Sequence, residues 1–141
     1  MAEQIFFEDI AEGDEIPELK KDPSTQQLVH WAAGSGDFYQ IHYDTSFAQG
    51  TGLDDIIVHG ALKHAWLGEL LHNFAAPSGQ VRRVACSYRG MDVPGQTYRL
   101  RGTVMKKSDA DRTVELAIWG ENEDGSKTTP GTGVVVLPSR G

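Results

Sequence analysis

The sequence holds a single cysteine, Cys86. One thiol forms no internal disulfide and no multi-cysteine zinc site. No stretch approaches the roughly 18 apolar residues of a membrane span. The opening Met1-Ala2-Glu3-Gln4 is acidic and lacks the basic and apolar regions of a signal peptide. Together these absences predict a cytoplasmic protein. Basic residues are also scarce, 13 against 20 acidic ones, for a net charge of −7. So acidic a chain is a poor match for DNA or another polyanion.

Familiar catalytic motifs are missing too. There is no Gly-x-Ser-x-Gly elbow, since Gly34-Ser35-Gly36 has the wrong spacing. There is no P-loop. Gly50-Thr51-Gly52 is followed by Asp55 where a dinucleotide fingerprint needs glycine, and no strand signal precedes it. His30, His42, His59, His64 and His72 show no zinc-ligand spacing. Neither a metal nor a dissociable cofactor is expected. Cys86, within Val84-Ala85-Cys86-Ser87-Tyr88, reads as a small packing residue rather than a nucleophile.

The 141 residues suit one domain over 1–141, and 39% hydrophobic content suits a real core. Residues 1–22 are acidic, and Ile5-Phe6-Phe7 suggests a short strand or turn packed on that core. Ser24 and Gln27 form a capping-box pattern opening a helix whose apolar face is Leu28, Val29, Ala32 and Ala33. Gly34-Ser35-Gly36 stops it. Residues 37–57 read as a long loop with short helical turns at most, and long loops in small domains are usually functional. From Val58 to Phe74 apolar residues recur at helical spacing nearly all round, which predicts a buried helix. Strands follow over Val81–Tyr88, Thr97–Lys106, Asp111–Trp119 and Gly133–Leu137. Turns fall at Ser108-Asp109-Ala110 and Asn122-Glu123-Asp124-Gly125. One buried helix followed by a meander of strands is an α+β pattern, with the sheet curled around the helix.

Charge is uneven along the chain. Residues 81–107 carry Arg82, Arg83, Arg89, Arg99, Arg101, Lys106 and Lys107 against Asp92 alone, a net +6 that leaves −13 elsewhere. Either alternate strand positions face water, or the segment seats a small phosphorylated ligand.

Two segments carry chemistry. Gly36-Asp37-Phe38-Tyr39-Gln40-Ile41-His42 sets a carboxylate and an imidazole five residues apart in a loop opened by glycine. Both can reach one small molecule, although such a spacing also occurs in plain solvated turns. Ile56-Ile57-Val58-His59-Gly60-Ala61 stands at the start of the buried helix. A first helical turn offers unpaired N–H groups and the positive end of the dipole. Gly60 has no side chain to block approach, so its N–H suits an oxygen that gains negative charge. The plainer reading of His59-Gly60 is a helix start and nothing more.

Trp31 to His42, with Ala48 following at a spacing of five, resembles the hydratase motif of the MaoC-like family of (R)-specific enoyl-thioester hydratases and dehydratases. Phe47-Ala48, Gly50 to Leu53 and Ile57-Val58-His59-Gly60 continue the pattern. The resemblance extends over residues 5–137 in layout and 31–75 in motifs. It implies the hot-dog fold, an antiparallel sheet wrapped around a central helix, with residues 35–57 as the overhanging active-site segment. It implies hydration of trans-2-enoyl thioesters to (R)-3-hydroxyacyl thioesters, or the reverse. Asp37 and His42 would be catalytic, and the Gly60 amide would hold the thioester oxygen. It further implies an acyl-CoA or acyl carrier protein substrate, and pairing with itself or another hot-dog chain. The sequence departs from the family at Tyr39-Gln40, where Asn-Pro is usual, and at Ala61, where methionine is common. Two rivals follow: a non-catalytic, partner-dependent subunit, which the Tyr39-Gln40 departure favours, and a hot-dog thioesterase, which would lack the Asp37, His42 and His59-Gly60 set.

Overall fold

The computed structural model describes residues 3–141, so Met1 and Ala2 of the acidic opening lie outside the described residues. Five strands form one antiparallel sheet: β1 (Leu19–Lys21), β2 (Gln80–Cys86), β3 (Tyr98–Ser108), β4 (Thr113–Glu121) and β5 (Lys127–Val136). Their order is β1-β3-β4-β5-β2. Helices α1 (Thr25–Ser35) and α2 (Thr45–Gly50) precede the long α3 (Gly60–Ala75). The sheet curls around α3, which is the hot-dog fold.

Alternation dictates which face of the sheet turns inward. Tyr98, Leu100, Gly102 and Val104 of β3 are buried, as are Val114, Leu116 and Ile118 of β4. From the helix, Leu67, Leu70 and Leu71 meet them. Each such side chain, fully buried, contributes about 2 kcal/mol. Glycines on the concave face make room for bulk. A Cβ at Gly133 would strike Leu71, and one at Gly120 would overlap the Tyr98 ring. The Tyr98 hydroxyl is satisfied by Thr129 Oγ1 at 2.8 Å.

Several boundaries differ from the sequence reading. The buried helix starts at Gly60 rather than Val58, because Val58 donates its N–H to the Asp92 carbonyl at 2.7 Å and is thereby held in an extended link. It is also less enclosed than its composition suggests: Ala61, Ala65 and His72 lie on an open stripe. In α1, Leu28 and Ala32 are buried, but Val29 and Ala33 are exposed. The last strand begins at Lys127, earlier than the apolar run that announced it. Ile5-Phe6-Phe7 leads into a 3-10 turn over Phe7–Asp9, with Phe7 in the core. Strand β1 was not anticipated. It is three residues of Leu-Lys-Lys, too short to show a period, and is defined by pairing with β3. No helix among the described residues is long and apolar enough to cross a membrane.

Candidate active site

The loop carrying Asp37 is shaped at the end of α1. Ser24 Oγ accepts the Gln27 N–H at 3.2 Å and opens that helix. Gly36, at φ 79°, closes it in the left-handed conformation that glycine adopts without strain. Ser35 Oγ donates to the Trp31 carbonyl at 2.6 Å and accepts the Asp37 N–H at 3.2 Å. A 3-10 turn over Gln40–His42 then brings the imidazole back. The turn is closed without Asn-Pro: Asp44 N–H donates to the Gln40 carbonyl at 2.9 Å, and the Tyr43 hydroxyl donates to the Phe38 carbonyl at 3.0 Å.

The two predicted side chains converge. His42 Nε2 lies 3.8 Å from Asp37 Oδ2. His42 Nδ1 lies 2.7 Å from the Ile57 carbonyl. A carbonyl only accepts, so Nδ1 carries a proton, and the neutral form of this ring has its lone pair at Nε2, toward Asp37. The 3.8 Å gap exceeds a direct hydrogen bond yet admits one oxygen bonded to both groups. Asp37 is 46% exposed and His42 is buried, so the pair joins solvent to interior.

His59 was legible only as the neighbour of Gly60. In the fold it is fully buried, at 0% exposure. Its ring stacks on His42, with centroids 3.8 Å apart and planes 20° off parallel. Its Nε2–H donates to the Asp37 backbone carbonyl at 3.2 Å. His59 therefore backs one member of the pair and pins the loop of the other. Burial, and then the neighbouring His42, hold its pKa below the usual imidazole range, against the opposing pull of Asp37. His59 thus binds its proton more weakly folded than unfolded. Its contribution to stability is present above about pH 6.5 and is lost as pH falls below that. Melting curves between pH 7.5 and 5 are expected to show Tm falling with acidity in the parent and a shallower fall in His59→Gln. Equal slopes would remove His59 as the cause.

Asp37, His42 and His59 each bring a potential ligand atom within 4.8 Å of the other two. Imidazoles bind metals in the ring plane, however. Two rings stacked 3.8 Å apart hold their lone pairs in nearly parallel, separate planes, which disfavours a common metal ion. The trio is arranged for mutual positioning rather than chelation.

Gly60 is the first residue of α3, where helical N–H groups have no intrahelical partner. It faces a cleft of about 390 Å³ whose walls include His42, Ile57, Lys63, Tyr88 and Met91. The Tyr88 ring lies over Gly60, and a Cβ there would come within 3.1 Å of it. Beneath the cleft, Lys63 Nζ pairs with Asp92 Oδ2 at 2.8 Å and donates to the Gly90 carbonyl at 3.1 Å. Sequence reasoning missed Tyr88, Lys63 and Asp92, because their role comes from contacts some 28 residues apart in the chain. A larger cavity of about 550 Å³ lies between α1 and the start of α3, against Trp31 and Leu62, and shares no residue with the cleft. Cys86 packs partly buried against the core, and burial raises its thiol pKa, opposite to what a nucleophile needs.

His42 lines the cleft beside the Gly60 amide, and Asp37, 3.8 Å from His42 Nε2, is not among the residues of its walls. The curled sheet around one helix is matched by a known family. Residues 11–123 match the MaoC like domain, and the chain belongs to that family. It is 32% identical over 81 residues to the fatty acid synthase beta subunit TOXC of Cochliobolus carbonum. That match covers 56% of this chain and 4% of the far longer synthase subunit. Among solved structures it is similar to the R-hydratase PhaJ1 of Pseudomonas aeruginosa, with TM-score 0.89 and 20% identity over 97% of this chain and 88% of that one. It is also similar to the ChsH1-ChsH2 complex of Mycobacterium tuberculosis, with TM-score 0.81 and 21% identity over 90% of this chain and 98% of that one.

Proposed function

We propose that the protein hydrates trans-2-enoyl-CoA thioesters to (R)-3-hydroxyacyl-CoA, or catalyses the reverse dehydration. The observation that carries this reading is the 3.8 Å gap between Asp37 Oδ2 and His42 Nε2. A water in that gap donates one hydrogen to each group and turns a lone pair outward. As its oxygen bonds to C3 of the enoyl chain, Asp37 takes the proton. The C2–C3 π electrons move toward the thioester, and the Gly60 N–H stabilises the oxygen that becomes negative. The proton then passes from the Asp37–His42 pair to C2, restoring the carboxylate. The (R) configuration rests on the family and on the PhaJ1 likeness.

The test is loss of enoyl absorbance in the ultraviolet over a panel of enoyl-CoA thioesters, from crotonyl to long and steroid-like chains. Turnover with at least one is expected. Release of free thiol with the double bond intact would select a thioesterase instead. Gly60→Ala is expected to lower the rate about tenfold, short of the roughly 10²–10³ of a donor removed outright, because the N–H itself remains. The added methyl displaces Tyr88 and disturbs the amide's approach to the thioester. An unchanged rate would take the amide out of the mechanism.

Assembly with a second hot-dog chain belongs to the same reading. Among the described residues the outer edge of β2 is unpaired, and Tyr88 and Met91 flank the cleft in exposed positions. The ChsH1-ChsH2 likeness makes a second, partner-dependent reading concrete. Activity that appears only with a partner and survives Asp37→Asn would select it.

A further inference from the structure

The seven arginines divide into two groups. Arg99 and Arg101 pair with Glu18, Arg101 also with Glu121, and Arg140 with Asp9. Arg82, Arg83, Arg89 and Arg112 are exposed, and among the described residues none has a carboxylate within 4.0 Å. Three of these four lie on one extended segment. Beyond Cys86, the Ser87 N–H donates to the Pro130 carbonyl at 2.9 Å and the Arg89 N–H to the Thr128 carbonyl at 2.8 Å, which continues the β2–β5 ladder. Val84 and Cys86 pack inward on the core, and Tyr88 lies over Gly60. Period two therefore sets Arg83, Ala85, Ser87 and Arg89 on the opposite face. The stripe has an arginine at each end, about 20 Å apart at strand rise, and only small side chains between. A register shift between Val81 and Arg83 leaves Arg82 exposed as well. One end of the stripe lines the catalytic cleft through Arg89. At the other, Arg82 shares a polar cavity of about 370 Å³ with Arg112, Ser78 and Ser139.

We infer that Arg82 and Arg83 seat the phosphates of coenzyme A, with Arg89 adding positive potential at the mouth of the cleft that attracts the same anionic ligand. This rests on the enoyl-CoA reading above and names the part of the chain that reads the carrier. A slender, uncharged pantetheine arm fits over Ala85 and Ser87, and guanidinium groups match phosphate oxygens two at a time. The far end is a small concavity rather than a broad face, and the other 114 residues of the chain carry −13. Both features suit a small phosphorylated ligand better than an acidic carrier protein.

Calorimetric titration of the full chain with coenzyme A, 3′-dephospho-coenzyme A and pantetheine tests this without turnover. The parent is expected to prefer coenzyme A to pantetheine by tenfold or more, with the preference shrinking as salt rises. The double variant Arg82→Gln, Arg83→Gln is expected to lose most of that preference while binding pantetheine unchanged. Arg89→Gln is expected to weaken coenzyme A by about fivefold, on the order of one exposed charge contact. Three results overturn the inference: coenzyme A affinity kept in the double variant, an equal loss for pantetheine, or lost binding of an acyl carrier protein alone. Aggregation of the variants with coenzyme A affinity intact does so too, since it would assign the arginines to protection of the open strand edge. A parent that binds coenzyme A through these arginines yet hydrates no enoyl thioester refutes the reaction and leaves the seat standing.

Discussion

Asp37→Asn is expected to reduce enoyl-CoA hydration by about 10²–10⁴-fold, the usual share of a positioned general base. The substitution keeps the shape of the side chain and its acceptor for the Tyr39 N–H, a long 3.4 Å contact. It removes the negative charge 3.8 Å from His42 Nε2. An amide neither takes the proton from the attacking water nor returns one to C2. The fold is expected to persist, because Asp37 is the exposed member of the pair and its backbone is held independently by Ser35 Oγ and His59 Nε2. Circular dichroism and Tm close to the parent's, beside a collapsed rate, are the joint outcome. A near-parental rate would show that the proton is moved by another group. His42→Ala is a harsher change. It also empties a buried site stacked on His59, so its rate loss must be read beside its melting temperature.

The division between what was legible and what was not follows the range of the forces involved. Ser24 and Gly36 bracket α1 through contacts three and four residues long, and both signals stand in the sequence itself. Alternation in β3 and β4 likewise announces which side chains are buried. Asp37 and His42 could be picked out because they lie five residues apart, and the fold brings them to 3.8 Å. His59 was different. Nothing local says that a histidine before a helical glycine will stack on one 17 residues earlier and hold the carbonyl of a residue 22 earlier. Strand β1 exists only by its pairing with β3 about 80 residues away. The charge island of residues 81–107 divides only in the fold. Glu18 and Glu121 take Arg99 and Arg101, while Lys107 donates to the carbonyls of Phe7 and Ile10. Among the described residues, the arginines of the β2 segment have no carboxylate partner.

Lys63→Met is expected to cost about 3–5 kcal/mol of stability, the range found when one partner of a buried ion pair is removed. Lys63 and Asp92 are only 3% and 5% exposed as side chains, so neither charge has water to fall back on. In the parent, Asp92 Oδ2 accepts from Lys63 Nζ at 2.8 Å and from Thr128 Oγ1 at 2.7 Å. Methionine fills the lysine's space but leaves the carboxylate with one hydroxyl, and it frees the Gly90 carbonyl from its ammonium. For a chain of this length the loss corresponds to a fall in Tm on the order of 10 °C or more. Adding Asp92→Asn to Lys63→Met removes the stranded charge and keeps an acceptor for Thr128, so the double variant is expected to recover more than half of the loss. Reversible denaturant titrations of the two variants separate the causes. Recovery identifies an uncompensated charge as the damage. A double variant no better than the single would assign the loss to packing around the lysine stem. The same pair bears on the cleft, because Asp92 accepts the Val58 N–H through its carbonyl while its carboxylate anchors a lysine one helical turn beyond Gly60. The buried charges hold the segment carrying Tyr88 and Met91 against the helix start, and that contact sets the width of the cleft before Gly60.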